Sequence, residues 1–365
     1  MDIAVAGAGM AGLVAAARLR ELGRSVVVLE KGARAGGSLL LSSGVIWRHR
    51  SLEEFQADCP AGDLELQRTI VERLDDDVDW LRRVVAPVAN DTGNPRTIGA
   101  RFDPGELVAA LARRLEVRLG EPLAALTGPT ALCTGGYAAS LARARGLVLR
   151  AAPWSTGDGI ALGRDAGAAE RGDPLEFYGR VLPAPPANVG ETDFVRAAQL
   201  YGAVAYVIDS KGTPLITAEP AWHEVDVALA VARSHGAWFV VDGAGAAATV
   251  RGRSVEEMIA VAEELGGEVR RANELEALDL GPLHSPKLAE SPFAAVRVAT
   301  GVTHTYAGLA VDKDARVLGA DGSPLPGLWA CGVDAGGIFS GGYASGLAAA
   351  LVLGLAAAES AASAY

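Results

Sequence analysis

The sequence is poor in cysteine, lysine and histidine, and each shortage removes a class of function. Its three cysteines, Cys59, Cys133 and Cys331, are odd in number and far apart, and no Cys-x-x-Cys pair occurs. Neither a disulfide framework nor a structural zinc site is indicated, no metal site is expected, and a reducing cytoplasm is the default compartment. Only four of the 33 basic residues are lysine, no basic run exists, and the net charge is -11. Such a chain is a poor partner for a phosphate backbone, so nucleic acid is excluded. The N-terminus lacks the basic n-region of a signal peptide. The apolar run from Tyr343 to Ala358 is short of the roughly 20 residues that span a bilayer and meets Glu359 at once. It reads as a buried helix, with no membrane span expected.

What remains is an apolar, glycine-rich chain. Half of the 365 residues are hydrophobic and the mean hydropathy is +0.22, enough for a large core. The length fits about two domains. Glycine supplies 45 of 365 residues, about 12% against a usual ~7%, without a Gly-X-Y repeat. The surplus must serve turns, close backbone approach or a cofactor.

The first thirty residues give it a place. Ile3–Ala6 reads as a short buried strand, and Gly7-Ala8-Gly9-Met10-Ala11-Gly12 is a full GxGxxG. A helix pattern runs on to Gly23, and residues 25–29 read as a second buried strand ending at Glu30. This is a βαβ dinucleotide-binding unit. Gly7 permits the tight turn, Gly9 lets a pyrophosphate approach the backbone, and Gly12 lets the helix pack on the strand. The helix start, at Met10 and Ala11, offers free N–H groups and positive dipole to phosphate. Glu30 is placed to accept from ribose hydroxyls. Lys31 follows it, and Gly36-Gly37-Ser38 comes shortly after. A glycine pair at that spacing resembles the extended flavoprotein pattern, in which the chain crosses back over the FAD pyrophosphate.

Five further segments, in order, resemble the fumarate reductase and succinate dehydrogenase flavoprotein family, which includes the 3-ketosteroid dehydrogenases. They are Leu41-Ser-Ser-Gly-Val45-Ile46-Trp47, Leu132-Cys-Thr134-Gly135-Gly136-Tyr137, Ser155-Thr-Gly-Asp158-Gly159, Thr303-His304-Thr-Tyr306-Ala-Gly-Leu309 and Pro326-Gly-Leu-Trp-Ala-Cys-Gly332. The resemblance is good over about 1–60, 130–170 and 290–358. It implies an α/β fold: a Rossmann-like FAD-binding domain, discontinuous over 1–172 and 297–365, with an inserted α+β cap or substrate domain at 173–296. It implies FAD as cofactor, contacted at Gly7, Gly9, Met10, Ala11, Gly12, Glu30, Lys31, Gly36, Gly37, Ser38, Thr134, Gly135, Gly136, Asp158, Gly332, Asp334, Ser345, Gly346 and Leu347. Members with a covalent link carry a His just after the glycine pair; residues 38–43 hold none, so the FAD is expected to be noncovalent.

The pieces also carry chemistry of their own. Asp158, between two glycines, can cap a helix start or accept from a cofactor hydroxyl. Gly341-Gly342-Tyr343-Ala344-Ser345-Gly346-Leu347 reads as the glycine-rich opening of the C-terminal helix, whose N-terminus would stabilise the anion of a reduced flavin. Within the inserted stretch, Leu182–Asn188 reads as a proline-rich connection, 254–265 as a helix, and 204–208 and 238–241 as strands. Residues 53–85 read as one or two helices, with Asp75-Asp76-Asp77 as a solvated turn rather than a metal site.

The family's shared reaction is hydride exchange between flavin N5 and a carbon β to an electron-withdrawing group, with an acid or base handling the α proton. Fumarate reductases clamp a dicarboxylate with Arg. Here Tyr343 stands at one such place and Gly354-Leu355 replaces a Gly-Arg pair, which removes charge-assisted bonds of about 1.5–3 kcal/mol each. Dicarboxylates are therefore disfavoured. Tyr343 resembles the tyrosine that polarises the ketone in ketosteroid dehydrogenases; otherwise it is a wall residue. Tyr306, Tyr178, Tyr201 and Tyr206 are candidates for the second tyrosine. His304 either contacts substrate or makes a structural hairpin bond. Arg180 either meets an anion or is solvated, and Val45, Ile46 and Trp47 form either a substrate wall or core. His49, His223, His235 and His284 fit no motif. The expected function is an FAD-dependent CH–CH oxidoreductase acting on a fairly apolar, ketone-like small molecule, with an unassigned external electron donor or acceptor. An amine-oxidase-like or other flavin oxidase, and a non-catalytic flavin-binding redox protein, remain as alternatives.

Overall fold

The computed structural model describes residues 2–216, 224–234 and 236–365; His223 and His235 lie outside them. The chain divides into two compact units. One comprises Met1–Leu141, Ala151–Tyr178 and His304–Tyr365, the other Ala142–Arg150 and Gly179–Thr303. The junctions thus fall a few residues later than 172 and 296, and 142–150 belongs to the second unit. The cause is strand pairing, since Val148–Leu149 runs parallel to Gly301 and Val302 of a long strand in that unit.

The first unit is built on a six-stranded sheet in the order Arg316–Leu318, Pro324–Ala330, Thr130–Leu132, Ile3–Ala6, Val26–Glu30, Val117–Leu119. All neighbours pair in parallel except the Arg316–Leu318 edge. Ile3, Val5, Val28, Ala131, Leu132 and Leu328 are buried, as expected of parallel strands covered on both faces. The central strands Thr130–Leu132 and Ile3–Ala6 are neighbours, yet their chains continue to opposite sides of the sheet. That reversal opens a crevice at their carboxyl ends, where ligands of α/β sheets bind.

Two helices lie against each other on this sheet unit. Met10–Glu21 buries Leu13, Val14, Ala15, Ala16 and Leu19. The C-terminal helix runs Gly346–Ala364, starting three residues later and ending six residues later than the sequence pattern suggests. Residues 343–345 precede it, with Ser345 as N-cap accepting from the Ala348 N–H at 3.3 Å. At 19 residues the helix is long and apolar enough to cross a membrane, so the length argument fails. Burial decides instead: Ala348 to Ala358 is buried without a break inside this unit. The two helices are in close contact at Gly354, where a Cβ would lie 2.9 Å from the Ala11 carbonyl oxygen.

Residues 53–85 form two helices, Leu52–Asp58 and Leu64–Val84, each capped by the preceding residue, Ser51 or Asp63 for its own helix after allowing for the turn between. Asp75 pairs with Arg48, and Asp77 with Arg73. Asp77 is buried rather than solvated, and burial raises its pKa to about 6.

The second unit holds an antiparallel sheet in the order Tyr206–Asp209, Ala237–Val241, Phe293–Thr305, Val269–Ala272. Helix Val255–Glu264 is capped by the Ser254 hydroxyl, which accepts from the Glu257 N–H. Its Met258 and Ile259 pack with Tyr201, Phe239 and Val296 in a closed core. The proline-rich connection is partly strand: Leu182 and Pro183 end Phe177–Pro183.

Candidate cofactor and active site

Both central strands of the first unit leave the sheet through glycine turns that pack on each other. A Cβ at Gly7, whose φ is +102°, would lie 2.3 Å from the Cys133 carbonyl oxygen, and one at Gly12 would lie 1.9 Å from that of Gly7. Those two glycines are demanded by the protein itself. Gly9 is different. Its φ is -79°, ordinary for any residue, and a Cβ there would meet nothing within 4 Å. Gly9 is also the N-cap of Met10–Glu21 and gives it no side-chain cap, so first-turn N–H groups are left for another acceptor. Met10 and Ala11 turn their side chains inward and offer backbone alone. Gly36, with φ +109°, donates its N–H to the Ala8 carbonyl, and Gly37 lies over the Gly9 Cα. The glycine pair thus crosses back over the turn. Ser38 Oγ accepts from the Ala152 N–H at 2.9 Å.

Glu30 is buried at the end of its strand. One carboxylate oxygen accepts from the Ala8 N–H at 2.7 Å and the other from the Gly32 N–H at 2.6 Å. Each oxygen keeps a second lone pair for a hydroxyl donor. Lys31 turns outward and donates to Thr156 Oγ1 at 2.6 Å and Asp158 Oδ2 at 2.7 Å. Gly157, not Asp158, is the N-cap of Asp158–Asp165, so Asp158 is engaged by Lys31 rather than by a helix start.

Asp334 is fully buried and accepts from the N–H and hydroxyl of Thr134 and from the Gly136 N–H. Burial raises its pKa against the pull of these donors. Thr134 Oγ1 in turn accepts from the Gly159 N–H. Asp334 therefore braces the Thr134-Gly135-Gly136 turn from behind. Gly332, with φ +62°, seats against the Ala11 side chain. Gly135 has a φ of +86°, and a Cβ there would lie 3.9 Å from the Ser155 Cβ, an ordinary contact.

An aromatic wall surrounds the entry to the C-terminal helix. Tyr343 stacks on Tyr178, with centroids 4.0 Å apart and planes 18° apart. Trp47 meets Tyr343 edge-on at 5.6 Å. His304 lies 5.3 Å from the Tyr178 ring and 5.6 Å from Phe339, and its imidazole rests on Gly346, where a Cβ would lie 3.2 Å from Cε1. Gly346 and Leu347 form the first turn of that helix. His304 is buried, which lowers its pKa to about 4, so the ring is uncharged at neutral pH. Its Nε2 has no hydrogen-bond partner among the described residues, so no hairpin bond is made through that atom.

Not every expected residue joins this group. Tyr306 donates its hydroxyl to the Gly342 carbonyl, and burial raises its pKa well above 10. It pins the loop that carries Tyr343 and is unsuited to act as a base. Tyr201 is buried in the core of the second unit, and Tyr206 and Arg180 lie in strands of that unit. Val45 is partly buried and Ile46 fully so. Sequence reasoning passed over Phe339 and a buried hydrogen bond between His49 Nε2 and Asp58 Oδ2 at 2.8 Å. His49 lies edge-on to Trp47 at 5.2 Å, and the Asp58 carbonyl packs against Gly342. No spacing rule links positions 49, 58 and 342, so no signal marks them.

Among known proteins, a family model described as FAD binding domain matches residues 2–130 and 120–347. NADH:fumarate oxidoreductase of Klebsiella pneumoniae (strain 342) is 24% identical over 439 residues, 96% of this chain and 46% of that protein. The chain thus spans about half the length of that relative. Among solved structures, the open conformation of a flavocytochrome c3 fumarate reductase is similar with a TM-score of 0.75 at 19% identity, covering 99% of this chain and 78% of the other. A 3-ketosteroid delta1-dehydrogenase from Sterolibacterium denitrificans, in complex with 1,4-androstadiene-3,17-dione, has a TM-score of 0.75 at 18% identity and covers 100% and 99%.

Proposed function

The chain belongs to the FAD binding domain family, and from that premise we propose that it is an FAD-dependent oxidoreductase of CH–CH groups, exchanging hydride with the carbon β to the carbonyl of a fairly apolar, ketone-like substrate. The first unit acts as the FAD domain, and the second corresponds to the inserted cap or substrate domain that the sequence suggests. The residues fit the cofactor. A Cβ at Gly9 would meet nothing within 4 Å, and the N-terminal helix has no side-chain cap. Backbone at Gly9 to Gly12, Gly36 and Gly37 would hold the pyrophosphate, Glu30 the ribose, and the turn at Thr134–Gly136 and the helix entry at Ser345–Leu347 the flavin. Ser38 offers no histidine-type anchor, and binding is noncovalent. Bound FAD supplies the hydride chemistry at its N5.

The substrate reading rests on one observation: the groups gathered at the helix entry are two stacked phenols and an uncharged imidazole. Neutral donors polarise a ketone oxygen, whereas a dicarboxylate calls for the bidentate cations of an Arg clamp. Tyr343 donates a hydrogen bond to the carbonyl, and His304 offers a second neutral contact through Nε2. Trp47 and Phe339 exclude water, which strengthens both bonds. Tyr178 holds the Tyr343 ring in plane and is the remaining candidate for the α proton.

Tyr343→Phe should keep FAD bound and cut turnover about 10²-fold on a ketone that bleaches the wild-type flavin. The measurement is anaerobic bleaching of the oxidised flavin by steroid-like ketones and saturated acids, paired with reoxidation of pre-reduced flavin by enones and unsaturated acids. A response confined to the acids would overturn the ketone reading, and unchanged turnover would remove Tyr343 from the chemistry.

A further inference from the structure

Beside Glu30 lies a small cavity of about 30 Å³, bounded by Gly7, Lys31, Leu123, Thr134, Trp154 and Asp158. Trp154 has no place in the chemistry described so far. Its indole rests on Gly32: a Cβ at that glycine would lie 2.2 Å from Nε1 and 2.6 Å from Cδ1. The φ of Gly32 is not in the left-handed region, so the backbone there does not call for glycine. The contact that demands a bare Cα is the indole itself. Gly32 is fixed on both sides, since its N–H donates to Glu30 Oε1 and its carbonyl accepts from the Gly120 N–H at 3.0 Å.

The turn that carries Trp154 is also tied to the turn that carries Gly32. The Thr156 N–H donates to the Trp154 carbonyl at 2.8 Å, Thr156 Oγ1 donates to Asp158 Oδ1 at 2.8 Å, and Lys31 reaches across to both side chains. Two lips, residues 30–32 and 154–158, therefore meet over the acid that takes the ribose. Glu30, Thr134 and Gly7 are held by the sheet and its turns. Trp154 is 37% exposed, and Lys31 and Asp158 are joined through side chains alone.

We propose that Trp154 is an FAD-binding residue: its indole, seated on Gly32, closes the adenosine end of the cofactor site, with the Lys31–Asp158 pair as the latch beside it. The ring offers an adenine a stacking face, and Gly32 sets the depth at which that face lies. This inference concerns cofactor retention and stands whatever the substrate proves to be.

The test is titration of the full-length apoprotein with FAD, ADP and FMN, followed by flavin fluorescence or calorimetry. In Trp154→Ala, FAD and ADP should bind about 10-fold more weakly or worse, as loss of one base–aromatic stack predicts, while FMN, which lacks adenosine, is unaffected. Trp154→Phe should recover most of the loss. Gly32→Ala leaves Trp154 in the sequence but removes its seat, and should reproduce the weakening for FAD and ADP. The variants' circular dichroism should match wild type. Unchanged FAD and ADP affinity in Trp154→Ala would overturn the proposal, and so would equal weakening of FMN. Should Trp154→Ala fail to fold, the Phe and Gly32 variants decide alone: wild-type ADP affinity in Gly32→Ala is then the refuting result.

Discussion

At the scale of single residues, burial does most of the chemistry. His304 is uncharged because water is kept from it, and the penalty for charging it has a measurable consequence. Its folded pKa of about 4 lies below the unfolded value near 6.5. The unfolded chain therefore binds a proton that the folded chain does not, and stability falls as pH drops through the interval from 6.5 to 4. The full effect is on the order of 3 kcal/mol. Denaturant midpoints between pH 4.5 and 7.5 should show this slope in wild type and a flatter line in His304→Gln. Parallel lines would mean that the imidazole is charged in the fold. Residue roles are where the sequence was least informative. Tyr306, Tyr178 and Tyr343 are the same residue type. What separates them is a carbonyl 36 positions away that takes the Tyr306 hydroxyl, and a stacking distance that no local pattern encodes.

At the scale of elements, the nucleotide turn was fully legible, because Gly7, Gly9, Gly12 and Glu30 belong to one contiguous βαβ unit whose spacing is set by the ligand. The opening of the C-terminal helix was misjudged. Tyr343 and Ala344 continue its apolar pattern, but Ser345 caps the helix, and the preceding loop is shaped from outside, by Asp58 against Gly342 and Pro60 against Gly341. The closeness of the two buried helices was hidden for the same reason: Gly354 is one small residue among many until Ala11 is placed opposite it. Gly354→Leu should force these helices apart. A destabilisation of about 2 kcal/mol, read as a lowered guanidinium midpoint, is expected together with weaker FAD binding, because the displaced helix carries the phosphate-binding turn. A variant with wild-type midpoint and FAD affinity would mean that the interface yields without cost.

At the scale of the whole molecule, the two-unit plan could be anticipated, but its seams could not be placed from the sequence. The strand Phe293–Thr305 runs through the expected junction at 296, and Val148–Leu149 pairs with that same strand, which places 142–150 in the second unit. The cysteines follow the same global logic. Cys59, Cys133 and Cys331 are free and buried; burial raises the pKa of Cys59, and a hydrogen bond with Cys331, together with burial, raises that of Cys133. A thiol reagent should find none of them in the native protein at pH 8 and all three in guanidinium. Rapid native labelling of even one would contradict this packing.

The order of strands in the first unit has a consequence for how the protein is made. The strand that begins at Ile3 is neighboured by Thr130–Leu132, which itself pairs with Pro324–Ala330, and the helix after the phosphate turn is covered by residues 346–364. A chain emerging from the ribosome exposes its phosphate-binding turn long before the helix Gly346–Ala364 that covers it. Cofactor loading therefore waits for that helix: nascent chains stalled before residue 346 should not retain FAD.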